Sequence, residues 1–509
     1  MGYFDVGGFI FRRELLTKWQ QRQKHQKGRS NMKIQSRSSM QWKHKIRWAT
    51  CATFMVGAAA CSGNALALPT FARQTGWSCA TCHTSYPQLT PMGRMFKLLG
   101  YTSNNVQRQQ KLEAKFGKST ALLLMRVSQF SIFFQASYAN VAGGQEAFNG
   151  AGVSNPPGNQ NDIQFPQQVS LFYAGEITPH IGAFLHLTYS GRGGFGMDDS
   201  DIRWAHPWNL GPDQLLITGV EVNNTPTEPD IYNTVPDWYA PFSSSKYSAI
   251  RQIPTTFIEG AHGAGYPLAG IGTYEAYIFG QDKANWLYFE ADGYTNADGI
   301  GVQPNSGGAF GYANDGRMQG VAPYVRLAYQ RDWGNWNWEV GTYGMWSRLY
   351  DSPNTKGGPV DSFDDYDLDS QLQWLDTADN SNVTLHADWI HEDQTFGPGT
   401  TLSSSTTGNL NSLNINGSYW YHDHYGVSGG YLDTWGSANP DLWGTSYSDN
   451  GSPDTNGEWI EASYLPWWNT RFSLRYTMFN QFRGLTNSTA TSFGASAYNT
   501  LELLTWISF

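Results

Sequence analysis

Asp365-Tyr366-Asp367-Leu368-Asp369-Ser370-Gln371-Leu372-Gln373-Trp374 alternates polar with apolar side chains for ten residues. A period of two is the period of a β-strand, so one face of this segment is acid and amide while the other is aromatic and aliphatic. In a soluble sandwich the apolar face would point at a core, and in a barrel it points at lipid. Two wider features favour lipid. The 509 residues are 15% aromatic, with 21 Trp and 28 Tyr, against only 15% charged. That aromatic load fits the girdles a barrel places at both membrane interfaces. No run of apolar residues is long enough for a spanning helix, which excludes a helical membrane protein and leaves a β-barrel open.

Outward from this segment the same texture repeats, separated by Gly, Asn, Asp, Ser and Pro. Strands are expected at Leu122–Tyr138, Gln168–Ile177, Ile181–Tyr189, Asp201–Trp208, Gln214–Val222, Tyr274–Gly280, Trp286–Gly293 and Ala322–Gln330. They continue at Asn335–Tyr350, Asp364–Leu375, Val383–His391, Leu413–Tyr421, Gly426–Trp435, Trp459–Trp467, Arg471–Asn480 and the C-terminal Leu501–Phe509. The expected fold is therefore all-β, a porin-like barrel of about sixteen strands over residues 119–509. An even number suits a single-chain barrel and puts both barrel termini on the periplasmic side. The long linkers 139–165, 223–272 and 294–319 are external loops or a constriction folded into the pore. The ending Leu501-Glu502-Leu503-Leu504-Thr505-Trp506-Ile507-Ser508-Phe509 is similar to the terminal-aromatic assembly signal of bacterial outer-membrane barrels.

Residues 1–67 read as a targeting segment. Lys43, Lys45 and Arg47 precede an apolar run from Trp48 to Ala60, and Ala65-Leu66-Ala67 offers a cleavage site. The basic region is long, so Met32 or Met40 is an alternative start; acylation of Cys61 is a weaker alternative to cleavage. Of 33 Lys/Arg and 42 Asp/Glu, 12 and 2 fall in residues 1–67, so the remainder carries a formal charge of −19. Such a surface excludes nucleic acid as a partner and suits cations.

Cys51 and Cys61 leave with the targeting segment, so the mature chain keeps Cys79 and Cys82 alone. They stand in Cys79-Ala80-Thr81-Cys82-His83, the pattern for covalent haem attachment. The two-residue gap matches the spacing of the haem vinyl groups, to which each thiol adds, and the adjacent His83 becomes the proximal iron ligand. A thioredoxin-type pair would need a βαβ setting, and a zinc site would need a second Cys/His cluster nearby. Without a second such motif, the cofactor is one haem c. Residues 68–118 form a small cytochrome domain, marginal in size by itself and best placed as a plug in the periplasmic mouth of the barrel.

The distal ligand is open between Met92 and Met95, three residues apart on one face of a short helix after Pro91; both are otherwise packing residues at the haem edge. Arg73, Arg94 and Lys97 are candidate propionate partners. Asp365, Asp367 and Asp369 form an acidic ladder on the lumen face, either a transient attraction site for Fe(II) or simply polar lumen wall. His422 with His424, and His386 with Asp388, are weaker metal candidates of the same kind.

Around the motif, Pro69-Thr70-Phe71-Ala72-Arg73-Gln74-Thr75-Gly76-Trp77-Ser78, then Gly93-Arg94 and Gly100-Tyr101-Thr102, resemble the outer-membrane cytochrome–porin fusions of iron-oxidising bacteria. The resemblance implies an iron oxidase that takes electrons from extracellular Fe(II) and passes them to a periplasmic c-type cytochrome or copper protein. The competing functions are a conduit with another donor or acceptor, and a passive porin with a structural or regulatory haem. One outcome is fixed by the motif alone. Replacing Cys79 and Cys82 together with Ser is expected to abolish haem staining on a denaturing gel, while the wild type stains; two unmodified thiols in the mature wild-type chain would refute the attachment.

Overall fold

The computed structural model describes residues 69–102, 129–144, 160–189, 195–234, 243–260, 268–296, 317–351, 357–445, 451–487 and 493–509. The targeting segment, its cleavage site and residues 103–118 lie outside the described residues.

Sixteen long antiparallel strands close on themselves. In chain order they are β1 (Phe130–Val141), β2 (Asn161–Thr178), β3 (Ile181–Tyr189), β4 (Asp201–Gly211), β5 (Gln214–Asn223), β6 (Leu268–Phe279), β7 (Asn285–Asn296) and β8 (Ala322–Trp333). The second half is β9 (Trp336–Tyr350), β10 (Val360–Asp376), β11 (Ser381–Thr395), β12 (Thr407–Tyr421), β13 (Tyr425–Gly436), β14 (Thr455–Trp467), β15 (Thr470–Gln481) and β16 (Thr500–Ser508). Each pairs with its neighbours in sequence, and β1 returns to β16 in register from Phe133 opposite Ser508 to Val141 opposite Thr500. Two short strands, Phe195–Met197 and Arg317–Met318, extend the rim beside β3 and β9. Every strand expected from alternation corresponds to one observed. The first is shifted toward the C-terminus, and the part of its expected range before Gln129 lies outside the described residues.

The side-chain alternation decides what each wall faces. On β10, Asp365, Asp367, Asp369, Gln371 and Gln373 are buried in the lumen, while Leu368 is 56% exposed on the outside. The outer wall carries Leu171, Val220, Ile271, Leu327, Leu385, Ile415, Ile460 and Leu474, all exposed. Apolar outside and polar inside is the inverse of a soluble core and the signature of an outer-membrane barrel. No helix among the described residues is long and apolar enough to cross a membrane.

The connections alternate in length. Seven turns of two to five residues join β2–β3, β4–β5, β6–β7, β8–β9, β10–β11, β12–β13 and β14–β15, whereas the other eight connections run from nine to forty-four residues. Short turns mark the periplasmic rim and long loops the outer one. β1 therefore starts, and β16 ends, at the periplasmic rim. Trp333, Trp336, Tyr421, Tyr425, Trp467 and Phe509 stand exposed around that rim as an aromatic girdle.

The longest connection, β5–β6, turns inward. Its residues Asp230 to Thr234 and Ser244, Ser245 and Tyr247 to Ala249 are buried. Lumen carboxylates hold it by its backbone: the N–H groups of Ser245 and Ile258 donate to Glu502 and Asp365, both at 2.7 Å, and that of Phe257 to Glu392 at 2.5 Å. Of the two roles open for residues 223–272, the parts that are described (223–234, 243–260 and 268–272) fit a constriction folded into the lumen. Leu368 sits at mid-strand on the lipid face. Leu368→Arg is expected to cost about 2–4 kcal/mol of folding free energy in bilayers, as for a cation at the midplane of such a barrel, measured by denaturant titration in vesicles. An unchanged midpoint would place that face away from lipid.

Candidate functional site

Residues 69–102 pack inside the periplasmic half of the barrel. The segment opens with a helix, α1 (Pro69–Thr75). Gly76 ends it in the left-handed conformation at φ +73°, where its N–H returns to the Ala72 carbonyl at 2.8 Å. A 3₁₀ turn follows over Cys79–Thr81, and the N–H groups of both Cys82 and His83 donate to the Cys79 carbonyl at 2.9 Å. This tight winding keeps Cys79, Cys82 and His83 on the wall of one cavity.

A second helix, α2 (Pro91–Leu98), is capped by Thr90, whose Oγ1 accepts from the Gly93 N–H and donates to the Thr81 carbonyl at 2.7 Å. Pro91 occupies the first turn, where a missing N–H costs nothing. The helix lies so close to the motif that a Cβ on Gly93 would come within 2.2 Å of the Cys82 carbonyl oxygen. Gly93 is therefore a packing requirement of the motif.

Cys79, Cys82 and His83 line a cavity of about 610 Å³, within the range of roughly 300–1,000 Å³ usual for small-molecule and cofactor sites. Its wall is strongly aromatic: Phe71, Trp77, Tyr86, Phe96, Tyr101, Phe133, Phe172, Phe184 and Trp506 all contribute. The rings interlock; Phe71 meets Phe96 edge-on at 5.2 Å and stacks on Tyr101 at 5.4 Å, and Tyr86 lies 4.4 Å from the His83 ring. The β5–β6 loop covers the cavity with Ser243, Ile250 and Ile253.

The chemistry of the donor set fits a haem. Burial lowers the His83 pKa to about 4, against a smaller raising effect of the Pro87 and Gln88 backbone, so the ring is neutral, as ligation requires. Its Nδ1 is buried without a hydrogen-bond partner. Burial, with Cys79 nearby, pushes the Cys82 thiol up to about 12. A thiol held neutral suits neither thiolate metal binding nor dithiol exchange, while a thioether carries no charge to desolvate. His83 would be the axial ligand, the two cysteines the covalent attachments, and the aromatic wall the bed for an apolar macrocycle.

The remaining candidates separate. Met92 and Met95 are half-buried on α2 and neither lines the cavity, which takes Gly93, Phe96 and Lys97 from that helix. Arg94 does not line the cavity. It is fully buried and faces the barrel wall, where it donates to Gln330 at 2.9 Å, Asn337 at 2.6 Å, Gln373 at 2.5 Å, Gln371, and the Leu89 carbonyl at 3.1 Å. The guanidinium thus fastens the segment to β8, β9 and β10. Arg73 donates to the Phe130 carbonyl and is absent from the cavity wall. Lys97 does reach the cavity, paired there with Glu228 at 3.5 Å and the Asp230 carbonyl at 3.1 Å.

The acidic ladder is buried, and its two ends are engaged. Asp365 holds Ile258, Asp369 pairs with Arg326 at 3.0 Å, and Asp367 is 6% exposed between them. Of its two readings the structure favours lumen wall. His422 and His424 do not share a strand face. They lie in the β12–β13 turn, each Nδ1 against a backbone carbonyl, of Asp379 at 2.7 Å and of Leu465 at 2.6 Å. His386 is buried against Gln371, and Asp388 accepts from Tyr343 at 3.0 Å. Sequence reasoning passed over His186 and Met197, which both line the cavity. The parity of β3, with Phe184, His186 and Thr188 all lumen-facing, is the signal that would have found the histidine.

No protein-family model matches the chain, and no curated protein does. Similar solved structures include the outer membrane channel DcaP of Acinetobacter baumannii, at 9% identity, covering 75% of this chain and 96% of that one with a TM-score of 0.41. OmpF of Salmonella typhi in complex with daunomycin is 11% identical, with coverages of 75% and 97% and a TM-score of 0.41. An anion-selective porin from Comamonas acidovorans is 11% identical, with coverages of 75% and 98% and a TM-score of 0.39. The barrel itself is established by the chain's own strand pairing. Arg94→Met leaves four side-chain acceptors unsatisfied in the lumen, at a cost of about 1–3 kcal/mol. Hydrogen exchange is expected to accelerate across residues 69–102 and remain unchanged in the strands; equal protection of the segment in both proteins would contradict the clamp.

Proposed function

We propose that the chain is an outer-membrane iron oxidase: a barrel that carries one haem on Cys79 and Cys82, takes electrons from Fe(II) and delivers them to a periplasmic c-type cytochrome or copper protein. The observation that carries the reading is the aromatic cavity shared by both thiols and His83 in the periplasmic half of a closed barrel. Bound haem would supply a one-electron carrier whose iron alternates between ferric and ferrous states. The chain's residues do the rest. His83, neutral by burial, offers an axial nitrogen. The aromatic wall would give an apolar macrocycle its packing surface. Arg94 and Gly93 hold the attachment turn against the barrel wall.

Each Fe(II) ion that gives up one electron leaves as Fe(III), and the electron passes inward to the acceptor. Outer-sphere exchange needs close approach rather than a binding cage, and no iron cage is required by this reading. The membrane's apolar band is about 25 Å tall, too far for one carrier near the periplasmic rim to be reached from outside. Fe(II) must therefore enter the lumen, past the β5–β6 loop. The formal charge of −19 on residues beyond the targeting segment draws cations toward the barrel. The packed segment and the loop inside the lumen favour electron passage over bulk solute flow, which weighs against a passive porin.

Mixing anaerobic, oxidised protein with excess Fe(II) in a stopped-flow spectrometer is expected to develop the reduced haem α-band, more slowly at high salt because steering is screened. If the haem stays oxidised with Fe(II) at every pH where the protein is folded, yet another donor reduces it, the iron assignment fails and the conduit survives.

A further inference from the structure

We infer that the barrel wall itself supplies the sixth ligand of the iron, through His186 on β3. The inference rests on the haem attachment proposed above. His83 would supply one ligand to the iron, and the methionines that follow it in sequence stand outside the cavity. Among the described residues that line the cavity, the remaining side chains of the kinds that ligate haem iron are His186, Met197, Lys97, Lys246, Tyr86 and Tyr101; Tyr101 donates to Asp201 and Glu228, and Tyr86 lies against the ring of His83 itself. Lys97 is paired with Glu228 and held by the Asp230 carbonyl. Lys246 and Met197 belong to the loop and to a three-residue rim strand. His186 alone stands within a long strand of the barrel.

Its surroundings are those of a built ligand. The residue is 7% exposed, opening toward the cavity, and its ring stacks on Phe172 at 4.1 Å. Phe172 is its register partner on β2, so two hydrogen-bonded strands fix the ring plane. The Asp198 carboxylate lies 3.7 Å from Nδ1. At that distance the carboxylate acts through its charge rather than a hydrogen bond; it favours a proton on the near nitrogen and so raises the donor strength of the other. That other nitrogen, Nε2, lies 2.8 Å from Thr188 Oγ1, and Thr188 also lines the cavity. Ligation asks Nε2 to exchange this contact for iron; Thr188 keeps the Ser170 hydroxyl at 3.0 Å as its partner.

The consequence is functional. One axial ligand would come from the inserted segment and the other from the membrane barrel, so the haem would bolt the two together. Two imidazoles favour a lower potential than imidazole with thioether, so the carrier would pass its electron on more readily, and draw one from its donor less readily, than a Met-ligated one.

Magnetic resonance and near-infrared spectra of the purified, oxidised full-length protein test this, with the alkaline pyridine spectrum as an independent count of attached haem. The wild type is expected to give low-spin bis-imidazole signals without a thioether-to-iron band. His186→Ala is expected to keep its haem, turn high-spin, and return to low spin on adding free imidazole. Met197→Ala, Met92→Ala and Met95→Ala are expected to leave the spectra unchanged. Asp198→Asn keeps the ligand but weakens its donor strength, so the potential is expected to rise while the signals stay bis-imidazole. If His186→Ala does not reach the membrane, the Asp198→Asn shift and the wild-type signals still decide the case. A thioether band in the wild type, or an unchanged low-spin spectrum in His186→Ala, overturns the inference and leaves haem attachment intact. Absence of haem from the wild type overturns both.

Discussion

A strand that crosses lipid has no water to satisfy its backbone, so every N–H and carbonyl must find a partner within the protein. The pairing of β1 with β16 meets that demand by removing the last free edge. Much else follows. Closure creates a lumen, the two-residue alternation lines it with carboxylates, amides and arginines, and those groups then need partners of their own. Two inserted pieces provide them. The β5–β6 loop offers backbone N–H groups to Asp365, Glu392 and Glu502, and the segment 69–102 offers the Arg94 guanidinium to four amide and carbonyl oxygens of β8, β9 and β10.

Much of the lumen wall is thereby buried. Arg203 with Asp201 and Glu221, Arg326 with Asp230, Glu339 and Asp369, and Arg475 with Glu461 and Glu502 are all ion pairs buried inside the barrel. Breaking one partner of such a pair is far more costly than removing both, because it strands a buried charge. These pairs act as registry pins between strands and insertions. Against that polar scaffold the aromatic cavity stands out as the one part of the inserted segment's surroundings that is chiefly apolar, and it is where the two thiols and His83 point.

The barrel was largely legible in the sequence because a strand's period and its lipid face leave their mark on each residue separately. Ile181–Tyr189 was delimited correctly, and Asp365 to Trp374 faced as its alternation demanded. The motif Cys79 to His83 was equally local. What escaped was everything set by partners far along the chain. Arg94 looked available to a propionate because its partners lie more than two hundred residues away. The ladder Asp365, Asp367 and Asp369 looked open to ions because nothing in it foretells the loop that lies on Asp365, or Arg326 beside Asp369. Met92 and Met95 stand close to the motif in sequence, whereas His186 enters the cavity from a strand a hundred residues on. His422 and His424 were misplaced for a subtler reason: the strand ends at Tyr421, and positive φ at His422 and Asp423 turns the chain before a shared face forms.

The proposed function stands on one chemical premise, that the cysteines inside this barrel carry a haem. Mass spectrometry of the protein extracted from purified outer membranes reads it directly. The peptide containing Cys79 and Cys82 should carry one haem through two thioether bonds, with no alkylatable thiol, in the same fraction as the intact barrel. The same peptide recovered with two free thiols, or haem-loaded chain found only in the soluble periplasm, would contradict it.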